Sequence, residues 1–135
     1  MLFRSGQETI LLVEDVQALR KLTRTILEGY GYNVLEAADG AEALNQAREE
    51  TRPIHMLLTD VVMPRMSGEE LARNLRKKRK NIKLLFMTGY SQEVIRQRRL
   101  GAESEVLQKP FTPMELLTRV RKVLDEKFGR PRRKK

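Results

Sequence analysis

The chain has 135 residues, 40% hydrophobic and 33% charged, with a formal net charge of +9 and no cysteine. That profile fits one soluble globular domain with a real core, and it excludes a disordered chain, a disulfide scaffold and a cysteine-ligated zinc site. No apolar run approaches the ~20 residues that span a bilayer, and Met1–Gly6 lacks the apolar stretch of a secretory signal.

The predicted elements alternate. Thr9-Ile10-Leu11-Leu12-Val13 is a continuous apolar run, as expected of a strand covered on both faces, and it ends in Glu14-Asp15. From Val16 to Tyr30, Leu19, Leu22, Ile26 and Tyr30 recur at helical spacing, and Gly31 follows as a C-cap. Asn33–Ala37 reads as a second strand, and Gly40–Glu50 as an Ala-rich helix with Ala43, Leu44 and Ala47 inside. A third strand runs from Ile54 to Thr59 and delivers Asp60 to its end, before a turn marked by Pro64 and Gly68. Ser67 is positioned to cap the next helix, with Glu69 and Glu70 in its first turn and Leu71 and Leu75 facing inward.

Ile82–Met87 is the fourth strand, ending at Thr88-Gly89-Tyr90, and a polar, Arg-rich helix follows over Ser91–Leu100. Glu103–Leu107 forms a short fifth strand leading to Gln108-Lys109-Pro110-Phe111. Thr112 caps the last helix, with Pro113 at its first position, Leu116, Leu117, Val120, Val123 and Leu124 as its stripe, and Gly129 at its end. Five strands alternating with five helices imply an α/β fold with a parallel sheet and helices on both faces. In such sheets the site lies beyond the carboxyl ends of the strands.

Glu14, Asp15, Asp60, Thr88 and Lys109 all fall at such ends. A carboxylate buried there needs compensation, and clustered acids raise one another's pKa unless a cation intervenes. Mg²⁺ suits a few carboxylates plus water and phosphate oxygens. Asp60 is then a nucleophile that can carry a phosphoryl group, with Lys109 and Thr88 as phosphate ligands.

These residues resemble a response-regulator receiver domain of two-component signalling over residues 8–127, between an N-terminal extension (1–7) and a basic C-terminal tail (128–135). The resemblance rests on Val13-Glu14-Asp15, Thr59-Asp60-Val61-Val62-Met63-Pro64 with Gly68, Met87-Thr88-Gly89-Tyr90 and Lys109-Pro110-Phe111. It implies a flavodoxin-like (βα)5 doubly wound fold with strand order 2-1-3-4-5 in the cytoplasm. It further implies an Asp60 phosphorylated by a histidine kinase or His-containing phosphotransfer domain, with Thr88 and Lys109 assisting. Mg²⁺ would be held by Asp15, Asp60 and the Val62 carbonyl, with Glu14 acting mostly through water. The Lys109–Pro110 bond is expected cis. Thr88-Gly89-Tyr90-Ser91 further resembles receivers appended to hybrid histidine kinases, which favours a terminal phosphorelay module; a free-standing regulator, with Met1 and the tail as natural ends, stands close behind, as a monomer or weak dimer.

Two departures from the family pattern stand out. Val106 occupies the position of the usual aromatic switch residue, so a swing of Thr88 plus an aromatic is not expected in its usual form. Tyr90 and Val62, two residues beyond Thr88 and Asp60, are expected to shield the phosphoryl group from water. Two alternatives remain: a degenerate interaction module that is not phosphorylated, and a slow aspartyl-phosphate phosphatase. The phosphatase usually needs a second acid where Val62 stands. No G-x-G-x-x-G follows the first strand, which disfavours a dinucleotide-binding module. His55, the one histidine, reads as a strand residue, and no helical histidine motif exists.

The charge is local. Arg76–Lys80 and Arg130–Lys135 together carry ten positive charges, so the rest of the chain sums to −1. Two separate runs without interleaved aromatics read as a solvated helix end and a tail, and no nucleic-acid or membrane partner is expected from them.

Overall fold

Strand side chains alternate faces, and this alternation builds two cores from one sheet. In the computed structural model, which describes residues 6–99 and 105–126, the strands are β1 (Thr9–Val13), β2 (Asn33–Ala37), β3 (Met56–Asp60), β4 (Lys83–Thr88) and β5 (Val106–Gln108). All pairings are parallel, in the order β2-β1-β3-β4-β5. Leu11, Val13, Leu57, Leu84 and Phe86 face one core, while Ile10, Leu12, Leu58, Leu85 and Met87 face the other. Every residue of β1 and β3 is buried, and Ile10–Val13 and Met56–Leu58 within them are unbroken apolar runs.

The helices are α1 (Gln17–Gly29), α2 (Gly40–Glu49), α3 (Gly68–Arg76), α4 (Gln92–Arg98) and α5 (Pro113–Asp125). Leu27 of α1 and Leu116, Leu117, Val120 and Val123 of α5 close one core. Ala43 and Ala47 of α2, Leu71 and Leu75 of α3, and Ile95 of α4 close the other. Two of the starts carry the caps expected from their sequence, and a third, at Ser91, is capped the same way. Ser67 accepts from Glu70 N and Ser91 from Val94 N, while Thr112 and Glu115 form a reciprocal capping box behind Pro113.

The stripe expected on α1 is displaced. Thr23 and Leu27 are buried, whereas Leu22 and Tyr30 are exposed. The apolar residues of this helix allow two overlapping stripes, and the buried one contains a threonine whose hydroxyl donates to the Leu19 carbonyl at 2.8 Å. That internal bond removes the penalty of burying Thr23. His55 lies just ahead of β3 instead of within it, although its backbone N–H donates to the Thr9 carbonyl at 2.9 Å. The fifth strand starts at Val106, three residues later than expected; Leu100, Glu103, Ser104 and the tail from Lys127 lie outside the described residues.

From β1 the chain moves outward to β2, then returns to place β3 on the opposite side of β1. The ends of β1 and β3 therefore open a crevice at the topological switch point.

Candidate functional site

Asp60, the last residue of β3, is only 4% exposed, and Glu14, just past the end of β1, is 1% exposed. Lys109 reaches both from beyond β5: its Nζ stands 2.6 Å from Asp60 Oδ1 and 3.0 Å from Glu14 Oε1. One ammonium thus bridges two buried carboxylates.

Each group is fixed by backbone. Glu14 Oε2 accepts the Val16 N–H at 3.0 Å, which satisfies a donor at the entry to α1, a helix with no side-chain cap of its own. Arg20 Nη1 donates to the Glu14 carbonyl at 2.7 Å and Arg20 Nε to Glu36 at 3.0 Å. Lys109 N donates to the Thr88 carbonyl at 2.7 Å, and the Lys109–Pro110 bond is cis. The turn after Asp60 is closed by Gly68, whose N–H donates to the Val61 carbonyl at 2.8 Å. A side chain could not replace that glycine, because a Cβ there would sit 2.1 Å from the Asp60 carbonyl oxygen.

The electrostatics are lopsided. Burial, followed by the hydrogen-bonded Glu14 carboxylate, pushes the Asp60 pKa up to about 7, against the pull of Lys109. Burial also opposes the charge on Glu14. Its hydrogen bonds to Asp60, the Val16 N–H and Lys109 outweigh that and hold its pKa below the usual glutamate value. For Lys109, burial is overcome by the two carboxylates, which raise its pKa. With Lys109 as its cation, the pair therefore takes up its proton on Asp60 and keeps Glu14 ionised.

Asp15 completes an acidic trio, in which one carboxylate oxygen from each of Glu14, Asp15 and Asp60 lies within 4.8 Å of the others. Two buried acids and one exposed acid, all oxygen donors opening onto solvent, fit a hard cation that retains water ligands. A pocket of about 260 Å³ surrounds them, lined also by Val62, Thr88, Tyr90 and Lys109. Thr88 is buried, and its hydroxyl accepts the Tyr90 N–H at 3.1 Å.

The structure thus gathers Glu14, Asp15, Asp60, Val62, Thr88, Tyr90 and Lys109 around one pocket. Val106 does not join them. It is buried in the core beside α4, and its carbonyl accepts from Arg119 of α5. Pro110 is exposed beside the pocket's lysine.

Gln108 was not singled out in the sequence. Its Nε2 donates to the Tyr90 carbonyl at 2.7 Å, and its Oε1 accepts from Gln92 of α4 at 2.8 Å. The Arg98 guanidinium lies 5.2 Å from the Tyr90 ring centroid and reaches Glu69 at 3.3 Å. Position beside Lys109 was the only signal for Gln108, and Arg98 stood out only as one cation of an Arg-rich helix, not as a neighbour of Tyr90.

The family model of the response regulator receiver domain matches residues 10–121. The chain belongs to this family. Among relatives of this receiver domain, the sensor kinase CckA of Brucella abortus (strain 2308) is 40% identical over 124 residues, covering 90% of this chain and 13% of that protein. The response regulator receiver protein CpdR of the same organism is 36% identical over 116 residues, covering 85% of this chain and 95% of that one. A CheY-like receiver domain from Methanospirillum hungatei JF-1 matches in structure with a TM-score of 0.76 and 33% identity, over 89% of this chain and 95% of that one. The chain thus spans nearly all of one curated relative and a small part of another. No helix among the described residues is long and apolar enough to cross a membrane.

Proposed function

We propose that this receiver domain takes a phosphoryl group onto Asp60 from the phosphohistidine of a histidine kinase or His-containing phosphotransfer domain, in the cytoplasm and with Mg²⁺. The observation that carries this reading is the Asp60–Lys109–Glu14 bridge inside an open acidic pocket. Asp60 Oδ attacks phosphorus, the P–N bond breaks, and its electron pair returns to the imidazole nitrogen. The reacting carboxylate must be unprotonated, and the Lys109 ammonium favours that form.

Glu14, Asp15, Asp60 and the Val62 carbonyl would hold the metal. Bound Mg²⁺ supplies positive charge that offsets the carboxylates' repulsion and the charge developing on phosphoryl oxygens. Lys109 and Thr88 offer the phosphoryl oxygens an ammonium and a hydroxyl. With Val62 two residues past Asp60, the pocket lacks the acid–base group for rapid hydrolysis, so the module stores the group and is not a phosphatase.

Turning the Thr88 side chain so that its hydroxyl donates to a phosphoryl oxygen would move the acceptor of the Tyr90 N–H. The Tyr90 carbonyl is tied through Gln108 to Gln92, so the change reaches α4 without the aromatic that Val106 replaces. Exposed Val16, Leu22, Val62 and Met114 supply apolar surface for a docked partner. The module serves either within a larger sensor kinase, as in the CckA relative, or alone, as a receiver of CpdR's size.

The test is transfer from phosphohistidine. A labelled phosphotransfer domain mixed with this chain and Mg²⁺ should pass label to wild type and not to Asp60→Asn. Label that stays on histidine across a panel of donors would overturn the proposal.

A further inference from the structure

The acidic trio is held unevenly. Glu14 and Asp60 are buried and share the Lys109 ammonium. Asp15 is exposed, and its carboxylate has no hydrogen-bond or ion-pair partner among the described residues. Its place is therefore set through the backbone. The peptide unit that joins Glu14 to Asp15 is planar, so whatever grips the Glu14 carbonyl also sets the direction in which the chain leaves for Asp15.

That grip comes from a side chain in the first turn of α1. Arg20 Nη1 donates to the Glu14 carbonyl at 2.7 Å, while Arg20 Nε donates to Glu36 Oε1 on β2 at 3.0 Å. Glu36 is itself held: its other carboxylate oxygen accepts from Arg24 Nη1, and its carbonyl accepts from Gln46 of α2. On the other side of the residue, the Glu14 N–H donates to the carbonyl of Ala37, the last residue of β2, at 3.2 Å. Strand β2 thus anchors Glu14 directly at its N–H and, through Arg20, at its carbonyl. The clasp with α1 is reciprocal. Glu14 Oε2 accepts the Val16 N–H at the helix entry, and the helix returns a guanidinium to the Glu14 carbonyl.

Arginine suits this task because its planar fork donates in fixed directions to two acceptors at once. The Arg20 side chain is 16% exposed, and the carboxylate it pairs with is Glu36 and none of the trio. Its charge is thus engaged outside the pocket, and what it gives the pocket is geometry. We propose that Arg20 is a positioning residue of the acidic pocket, which sets Asp15 for a divalent cation by holding the Glu14 carbonyl against β2. This rests on the reading of the pocket as an Mg²⁺ site. The sign of one measurement separates it from a purely electrostatic role. Removing a positive charge beside a cation site tightens binding when charge alone matters, whereas removing a support of the ligands weakens it.

The test is Mg²⁺ titration of the full chain, followed by amide NMR shifts, for wild type, Arg20→Gln, Arg20→Lys and Arg24→Gln. Arg20→Gln should weaken Mg²⁺ binding about tenfold, as loss of an outer support of a metal site does. Arg20→Lys keeps the charge and loses the fork, so it should recover only part of that loss. Arg24→Gln also gives up a contact to Glu36 but touches nothing on Glu14, and it should bind Mg²⁺ as wild type does. In the metal-free protein, Arg20→Gln should speed hydrogen exchange at the Val16 amide more than Arg24→Gln does. The proposal fails if Arg20→Gln or Arg20→Lys binds Mg²⁺ at least as tightly as wild type, or if Arg24→Gln loses as much as Arg20→Gln. Wild type that binds no Mg²⁺ would overturn the metal reading itself, and this inference with it.

Discussion

The Lys109 ammonium lies 2.6 Å from the Asp60 carboxylate although the two residues are 49 positions apart in the chain. Parallel strands β3, β4 and β5 carry both residues to one edge of the sheet, and the same ammonium contacts Glu14 from β1. Three strand ends converge on a charge arrangement that one cation does not balance.

That imbalance predicts a stability cost in the metal-free protein. Folding raises the Asp60 pKa from an ordinary 3.8 to about 7. The native state holds a proton that the unfolded chain has released, so this group's contribution falls as pH rises and is fully lost above about pH 7. Asp60→Asn should therefore stabilise the metal-free protein by roughly 2 kcal/mol near pH 8, with the gain shrinking toward pH 4. Urea denaturation across pH checks the sign. Saturating Mg²⁺ should raise the melting temperature of wild type more than that of the variant.

Gly68→Ala should be severe. Its Cβ would meet the Asp60 carbonyl oxygen at 2.1 Å, and backbone cannot yield as a flexible side chain does. A loss of about 3 kcal/mol is expected, measured by chemical denaturation. A variant as stable as wild type would show that the turn after β3 relaxes freely.

The Glu8–Arg121 pair ties the segment before β1 to α5, with contacts of 2.7 and 3.3 Å. The hydrogen bond from Arg121 lowers the Glu8 pKa against the effect of burial. A depressed carboxylate stabilises the fold above its unfolded pKa, ordinarily 4.5, and loses that contribution as pH falls through the folded value. Glu8→Gln should cost about 1 kcal/mol near pH 7 and almost nothing near pH 3. Thermal melts of both proteins at the two pH values test this.

Tyr90 forms part of the pocket wall, and its ring lies beside Arg98. Tyr90→Ala should open the phosphoryl group to water and speed its loss several-fold, read as the decay of phosphorylated protein. An unchanged decay rate would remove Tyr90 from the shield.

Much of this was legible in the sequence for a physical reason. Strands covered on both faces are mostly apolar, so Ile10–Val13 and Met56–Leu58 announced themselves, and the acids at or just past their ends stood out at once. Ser67 and Thr112 marked helix starts because a hydroxyl there satisfies free N–H groups. The buried face of α1 was misread because Thr23 is polar, and only its bond to the Leu19 carbonyl permits burial. Gln108, and the contacts of Arg98, escaped notice because the partners Tyr90, Gln92 and Glu69 are set by tertiary packing.

The most direct measurement of the central claim is intact mass after incubation with acetyl phosphate, with and without Mg²⁺, for wild type and Asp60→Asn. The account predicts a gain of about 80 Da in wild type that needs Mg²⁺ and is absent from the variant. An adduct of that mass persisting in Asp60→Asn, or none in folded, Mg²⁺-binding wild type, would contradict the assignment of Asp60 as the phosphoryl acceptor.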